Sequence, residues 1–149
     1  MTRRTARELA VQIAYALSFT DKDIDTLLSD FLSPEHLSSL AEEEDLYQEK
    51  PGGKNEEYIR RVSRGVAEHA PELDGDIARY AKDWEFERIS LVASAIMRVA
   101  MYEILYMPDV PNATAVNEAV EIAKKYDEPE TARFVNGILG AFVRGEIEA

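Results

Sequence analysis

Arg4, Arg7, Val11 and Tyr15 stand at i, i+3, i+7 and i+11, with Arg3 beside the first of them. On a helix that spacing draws a single stripe. Arginine forks grip phosphate oxygens, and an aromatic ring on the same stripe can stack on a base. The chemistry on offer is therefore capture of a polyanion with unpaired bases. The three arginines also occupy the unfavourable end of a helix dipole, which points to a role other than stabilising the helix. A solvated helix end is the plain alternative, and the residues by themselves leave both open.

Other chemistries find little support. The chain has no cysteine, which removes disulfides, thiolate zinc sites and cysteine nucleophiles. Its two histidines, His36 and His69, lie in segments without ligand spacing. HExxH, P-loop, GxGxxG and GxSxG patterns are absent. Carboxylates abound, but solvated acids make no catalytic pair without a pocket to shift them. No enzyme activity, metal or cofactor is expected.

The charge is unevenly spread. The chain carries 17 basic and 29 acidic residues, a net −12. Between Thr20 and Glu57 stand twelve acids and three lysines, so −9 belongs to that segment and −3 to everything else. With a Debye length of about 8 Å at physiological salt, a remote acidic segment need not cancel a basic patch. Its plain role is a solvated face.

The 149 residues suit one domain, 1–149, with a sizeable core. The first 17 residues resemble a secretion signal only superficially. Glu8 and Gln12 interrupt the apolar run, and Leu9, Ala10, Ile13, Ala14 and Leu17 follow one helix face. The apolar stretch 86–107 is broken by Arg98, whereas a spanning helix needs about 20 uncharged residues. A soluble, cytoplasmic protein without a membrane segment is expected.

The positioning elements read as helices throughout. Asp21 is placed to cap a second helix bearing Ile24, Leu27, Leu28 and Phe31. Ser33 and Pro34 open a third, and Pro51-Gly52-Gly53 marks a loop. Asn55 starts a fourth helix (Tyr58, Ile59, Val62, Val66), and a fifth from Pro71 carries Leu73, Ile77, Tyr80, Ala81 and Trp84. The sixth, 86–106, is apolar on most sides and hence central. Its Arg98 and Glu103 must be paired if buried. Asn112 caps a seventh, and an eighth runs from Pro129. Phe134, Val135, Ile138, Leu139 and Phe142 keep helical period across Asn136-Gly137, so helix is expected there, with Gly137 and Gly140 permitting close helix approach.

The segment VPNATAVNEAVEIAKKYDEPETARFVNGILGAF resembles the signature of the NusB family of bacterial transcription antitermination factors. Pro111, Asn117-Glu118-Ala119-Val120, Ala123-Lys124 and above all Phe134 to Leu139 carry the likeness. Residues 95–105 resemble the family's central helix, with Arg98, Tyr102 and Glu103 in place, and 4–15 its arginine-bearing first helix. The likeness is strong over 3–18 and 86–142 and poor over 19–57.

The resemblance implies an all-α, NusB-like bundle of about seven to eight helices in two packed three-helix sub-bundles. It further implies binding of boxA RNA in ribosomal RNA transcripts, together with the ribosomal protein NusE. The assembly would then join the RNA polymerase antitermination complex. It carries RNA binding onto Arg3, Arg4, Arg7, Tyr15, Glu130 and Phe134. Tyr15 and Phe134 could equally be core aromatics, and Glu130 a first-turn acid favouring its helix dipole. Two alternatives stand beside this. One is a helical protein–protein interaction module without RNA binding. The other, the RNA-binding part of a ribosomal RNA methyltransferase, would expect a catalytic domain after residue 149. About three neutralised phosphates on a single strand give a salt slope of about −2. So shallow a dependence implies weak binding alone, and a basic ribosomal-protein partner to supply the missing charge.

Overall fold

Side-chain caps start four of the helices in this computed structural model, which describes residues 1–82 and 89–148. Thr2 accepts from the Thr5 N–H at the head of α1 (Arg3–Leu17). Asp23 does so from Thr26 for α2 (Ile24–Phe31), and Ser33 from His36 for α3 (Pro34–Glu43). Ser90 accepts from Ala93 to open α5 (Leu91–Tyr106). Each oxygen satisfies an N–H that has no partner within the helix. The cap of α2 is thus Asp23 and not Asp21, because only Asp23 stands three residues before the N–H it receives. In α6 (Asn112–Tyr126), Asn112 is already helical and Pro111 takes the flanking position, so no side chain caps it. α7 (Pro129–Phe142) opens on Pro129 and runs unbroken through Asn136-Gly137, as its apolar period requires.

The fourth and fifth expected helices are one, α4 (Gly53–Tyr80), with Pro71 inside it. An interior proline costs about 3 kcal/mol through a lost hydrogen bond and a steric clash. The apolar face nevertheless runs straight through: Tyr58, Ile59, Val62, Val66, Leu73 and Ile77 are all buried. Burying Leu73 and Ile77, at about 2 kcal/mol each, offsets the proline. Trp84 and the 86–88 start of the expected central helix lie outside the described residues.

α5 is the hub. Ala93, Ala95, Ile96, Met97, Val99, Ala100, Met101, Tyr102, Glu103 and Ile104 are buried, and α1, α4, α6 and α7 all pack on it. α1, α2 and α4 touch one another, as do α5, α6 and α7, so two three-helix groups meet across α1, α4 and α5. α3 lies outside both, against α2 and a 3-10 turn at Asp45–Tyr47. Every regular element among the described residues is helical, and none is long and apolar enough to cross a membrane.

Both charges expected to be paired on α5 are. Arg98 donates to the two Asp74 oxygens at 2.7 and 2.8 Å, and Glu103 receives Arg7 and Tyr58. Close helix approach is found not at Gly140 but at Gly65. A Cβ on Gly140 would meet only the end of the Arg144 side chain, at 3.3 Å. A Cβ on Gly65 of α4 would lie 2.0 Å from the Tyr102 ring of α5. Gly65→Ala is therefore expected to lose about 1–3 kcal/mol by overpacking, lowering Tm by about 5 °C in a thermal melt.

Candidate nucleic-acid interface

The first turn of α1 fans its arginines onto three different elements. Arg3 donates Nε to the Asn55 side-chain oxygen at 3.0 Å, and its guanidinium lies 4.4 Å from the centre of the Tyr58 ring. Arg4 forks onto Glu118 of α6 at 2.6 and 3.0 Å. Arg7, one turn on, is only 5% exposed and grips Glu103 of α5 through Nε and Nη2 at 2.9–3.2 Å. The Tyr58 hydroxyl donates to the same carboxylate at 2.7 Å. Burial, and after it the Glu103 charge, pushes the Tyr58 hydroxyl well above its ordinary value, so it stays a donor.

This corrects the expected stripe. Arg4 and Arg7 share a helix face, but that face turns into the core within a turn, and Val11 after them is also buried. Arg7 is thus a structural cation whose Nε and Nη2 are taken up inside the bundle. Arg3 and Arg4 stay at the surface. Phe134 is a core aromatic at 8% exposure, and Glu130 is exposed in the first turn of α7. Tyr15 is 39% exposed and leans on Phe19, ring centres 4.9 Å apart. Eleven residues along a helix amount to about 16 Å, which puts Tyr15 at the far end of α1 from Arg4.

Of these candidates, two grooves receive only Arg4 and Tyr15. One, of about 760 Å³, lies between α1, α6 and α7 and is lined by Arg4, Asn117, Glu121, Lys124, Arg133 and Asn136, with Val120, Pro129 and Ala132 between them. Three cations, two amides and one carboxylate thus share a shallow trough. Lys124, Arg133 and the two asparagines were not singled out as contacts by sequence reasoning. A signal existed: Asn117, Glu121 and Lys124 repeat at i, i+4, i+7, and Pro129, Ala132, Arg133 and Asn136 at i, i+3, i+4, i+7. The other groove, about 350 Å³, is almost wholly apolar and joins Val11, Tyr15, Ala16, Phe31, Val92 and Tyr126, with Gln12 at its edge.

The acidic stretch is not remote from α1. Tyr47 donates to Glu8 at 3.2 Å, and the Gln12 amide donates to Tyr47 at 3.0 Å. Lys125 of α6 reaches Glu8 at 3.0 Å and Glu44 at 2.8 Å. Burial works against the Lys125 ammonium, but Glu44 and Glu8 more than offset it and its pKa is raised. Arg3 meets an amide and a backbone carbonyl in this stretch, and the carboxylate on Arg4 comes from α6. The Arg4 hydrogen bond holds the Glu118 carboxyl below the usual carboxylate range. What that bridge contributes is consequently present above the ordinary carboxylate pKa and fades only as pH falls below it.

The model of the NusB family matches residues 4–144. The transcription antitermination protein NusB of Symbiobacterium thermophilum is 41% identical over 97% of this chain and 91% of its own length. Among solved structures, T. maritima NusB superposes with a TM-score of 0.78 at 29% identity, over 97% of this chain and 92% of that one. A chain in a crystal structure of a plectonemic RNA supercoil shares the fold, with a TM-score of 0.77 at 21% identity over 99% and 97% of the two chains.

Because Glu103 is wholly buried, Arg7→Ala leaves a carboxylate without its cation. A loss of about 3–5 kcal/mol is expected, read as a lower urea midpoint, whereas Arg3→Ala should leave the midpoint nearly unchanged.

Proposed function

Because the chain belongs to the NusB family and is a transcription antitermination factor, we propose that it acts by binding the boxA element of ribosomal RNA transcripts jointly with the ribosomal protein NusE. The complex would join RNA polymerase and its antitermination assembly in the cytoplasm. The family is regulatory and not enzymatic.

The observation that carries the proposal is the groove in which Arg4, Lys124 and Arg133 surround Asn117 and Asn136. Cations of this kind neutralise phosphates, and side-chain amides offer both donor and acceptor to base edges. A shallow trough of this composition suits an unpaired strand, whose bases can be splayed out. Arg3 and Arg4 are the direct phosphate contacts from α1. Arg7 and Phe134 act from beneath, fixing α1 and the Arg133 turn of α7, while exposed Glu130, which follows the groove-lining Pro129 in the chain, can accept from a base amino group.

The apolar groove around Tyr15, Phe31, Val92 and Tyr126 is the NusE surface in this proposal. It adjoins the acidic 20–57 segment, through Phe31 within it and through Tyr126, next to the Lys125 that Glu44 holds. An apolar anchor flanked by carboxylates suits a basic protein partner.

Fluorescence anisotropy with boxA RNA and NusE checks the first part. Arg4→Ala with Arg133→Ala should weaken binding and make the salt slope shallower by about 1.4, or 0.7 for each phosphate on a single strand. Equal, negligible binding by both proteins would favour an interaction module that never touches RNA. For the partner surface, Val92→Arg should abolish co-elution with NusE in size-exclusion chromatography, and unaltered co-elution rejects that surface.

A further inference from the structure

Arg4 and Glu118 form a pair that can exchange, and the carboxylate has a second cation waiting. Arg4 presents Nε and Nη2 to the two Glu118 oxygens at 2.6 and 3.0 Å, the same planar fork it would present to a phosphate. Its side chain is 55% exposed, and little free energy holds an exposed ion pair of this kind. Glu118, by contrast, is only 19% exposed, so losing its cation outright would leave a half-buried charge. Arg7 prevents that. Its Nε and Nη2 are taken by Glu103, but its Nη1 lies 4.0 Å from Glu118, already at ion-pair distance.

We propose that Glu118 is an internal stand-in for phosphate, which keeps the Arg4 fork assembled in the free protein, yields it to an RNA phosphate and passes to Arg7. This rests on the RNA-binding function proposed above and names the positioning residue within it. Two neighbouring pairs lack the property. Releasing Arg7 strands Glu103, and releasing Lys125 strands Glu8, which is 4% exposed. The exchange also selects among ligands. An anion must offer two oxygens at carboxylate spacing to replace what Arg4 gives up, so single-point contacts are disfavoured relative to phosphate.

Glu118→Gln keeps the size of the side chain and one acceptor but removes the competing charge. In the full-length protein with its ribosomal-protein partner, it should tighten binding of boxA RNA about twofold to fivefold, the range expected for one exposed ion pair. The gain should vanish in an Arg4→Ala background. Unchanged affinity with a lowered Tm would make Glu118 a structural staple, and weaker binding would make it a simple orienting group; either overturns the proposal. NMR of arginine Nε–H signals in the unmutated protein gives a second reading. RNA should move the Arg4 signal and also that of buried Arg7, and a stationary Arg7 signal rejects the hand-over. If Arg4→Ala alone leaves RNA binding intact, it is the RNA assignment of this groove that fails.

Discussion

A carboxylate with no solvent exposure must be neutralised where it sits, and Glu103 governs how the two halves of this bundle meet. It lies on the most buried helix, receives a fork from Arg7 of α1 and a hydroxyl from Tyr58 of α4, and so ties three helices at one point. Few packings satisfy all those donors at once, since a buried charge tolerates neither a missing partner nor a poor angle. The rotation of α1 about its axis follows from it. With Arg7 turned inward, Arg4 emerges beside α6 and Arg3 beside the start of α4.

That orientation also decides where charge is presented. Three arginines in five residues look like one cluster in the sequence, but only two reach the surface. The cationic face is completed by Lys124 and Arg133, brought in by α6 and α7. The acidic region, for its part, is bound down by a specific contact. Tyr47, Glu44, Glu8, Gln12 and Lys125 form a polar knot that fastens it to α1 and α6. Neighbouring surfaces of opposite sign then coexist, and at physiological salt each acts over about 8 Å.

Both grooves lie along α1, which makes that helix their shared wall. Its N-terminal turn supplies Arg4 to the polar trough, and its third and fourth turns supply Val11, Tyr15 and Ala16 to the apolar one. A rigid helix anchored by Arg7 and Glu8 holds the two at fixed separation, an arrangement suited to the joint binding proposed above.

The helical class, the Ser33 cap with Pro34 at the first helical position, the central place of the helix expected over 86–106 and described over 91–106, and the continuity of helix through Asn136-Gly137 were legible from the sequence, because each rests on local periodicity or a local hydrogen bond. So was the need for partners at Arg98 and Glu103, since apolar neighbours imply burial and burial demands pairing. Who those partners are was not legible, as Asp74, Arg7 and Tyr58 lie 24, 96 and 45 residues away along the chain. The interior place of Pro71 was likewise settled by tertiary packing, which outweighs a local preference. Spacing alone puts Arg4 and Arg7 on one stripe, but it cannot say where that stripe passes beneath a neighbouring helix. Only the assembled bundle fixes that boundary, because exposure belongs to the packed whole and not to the residue.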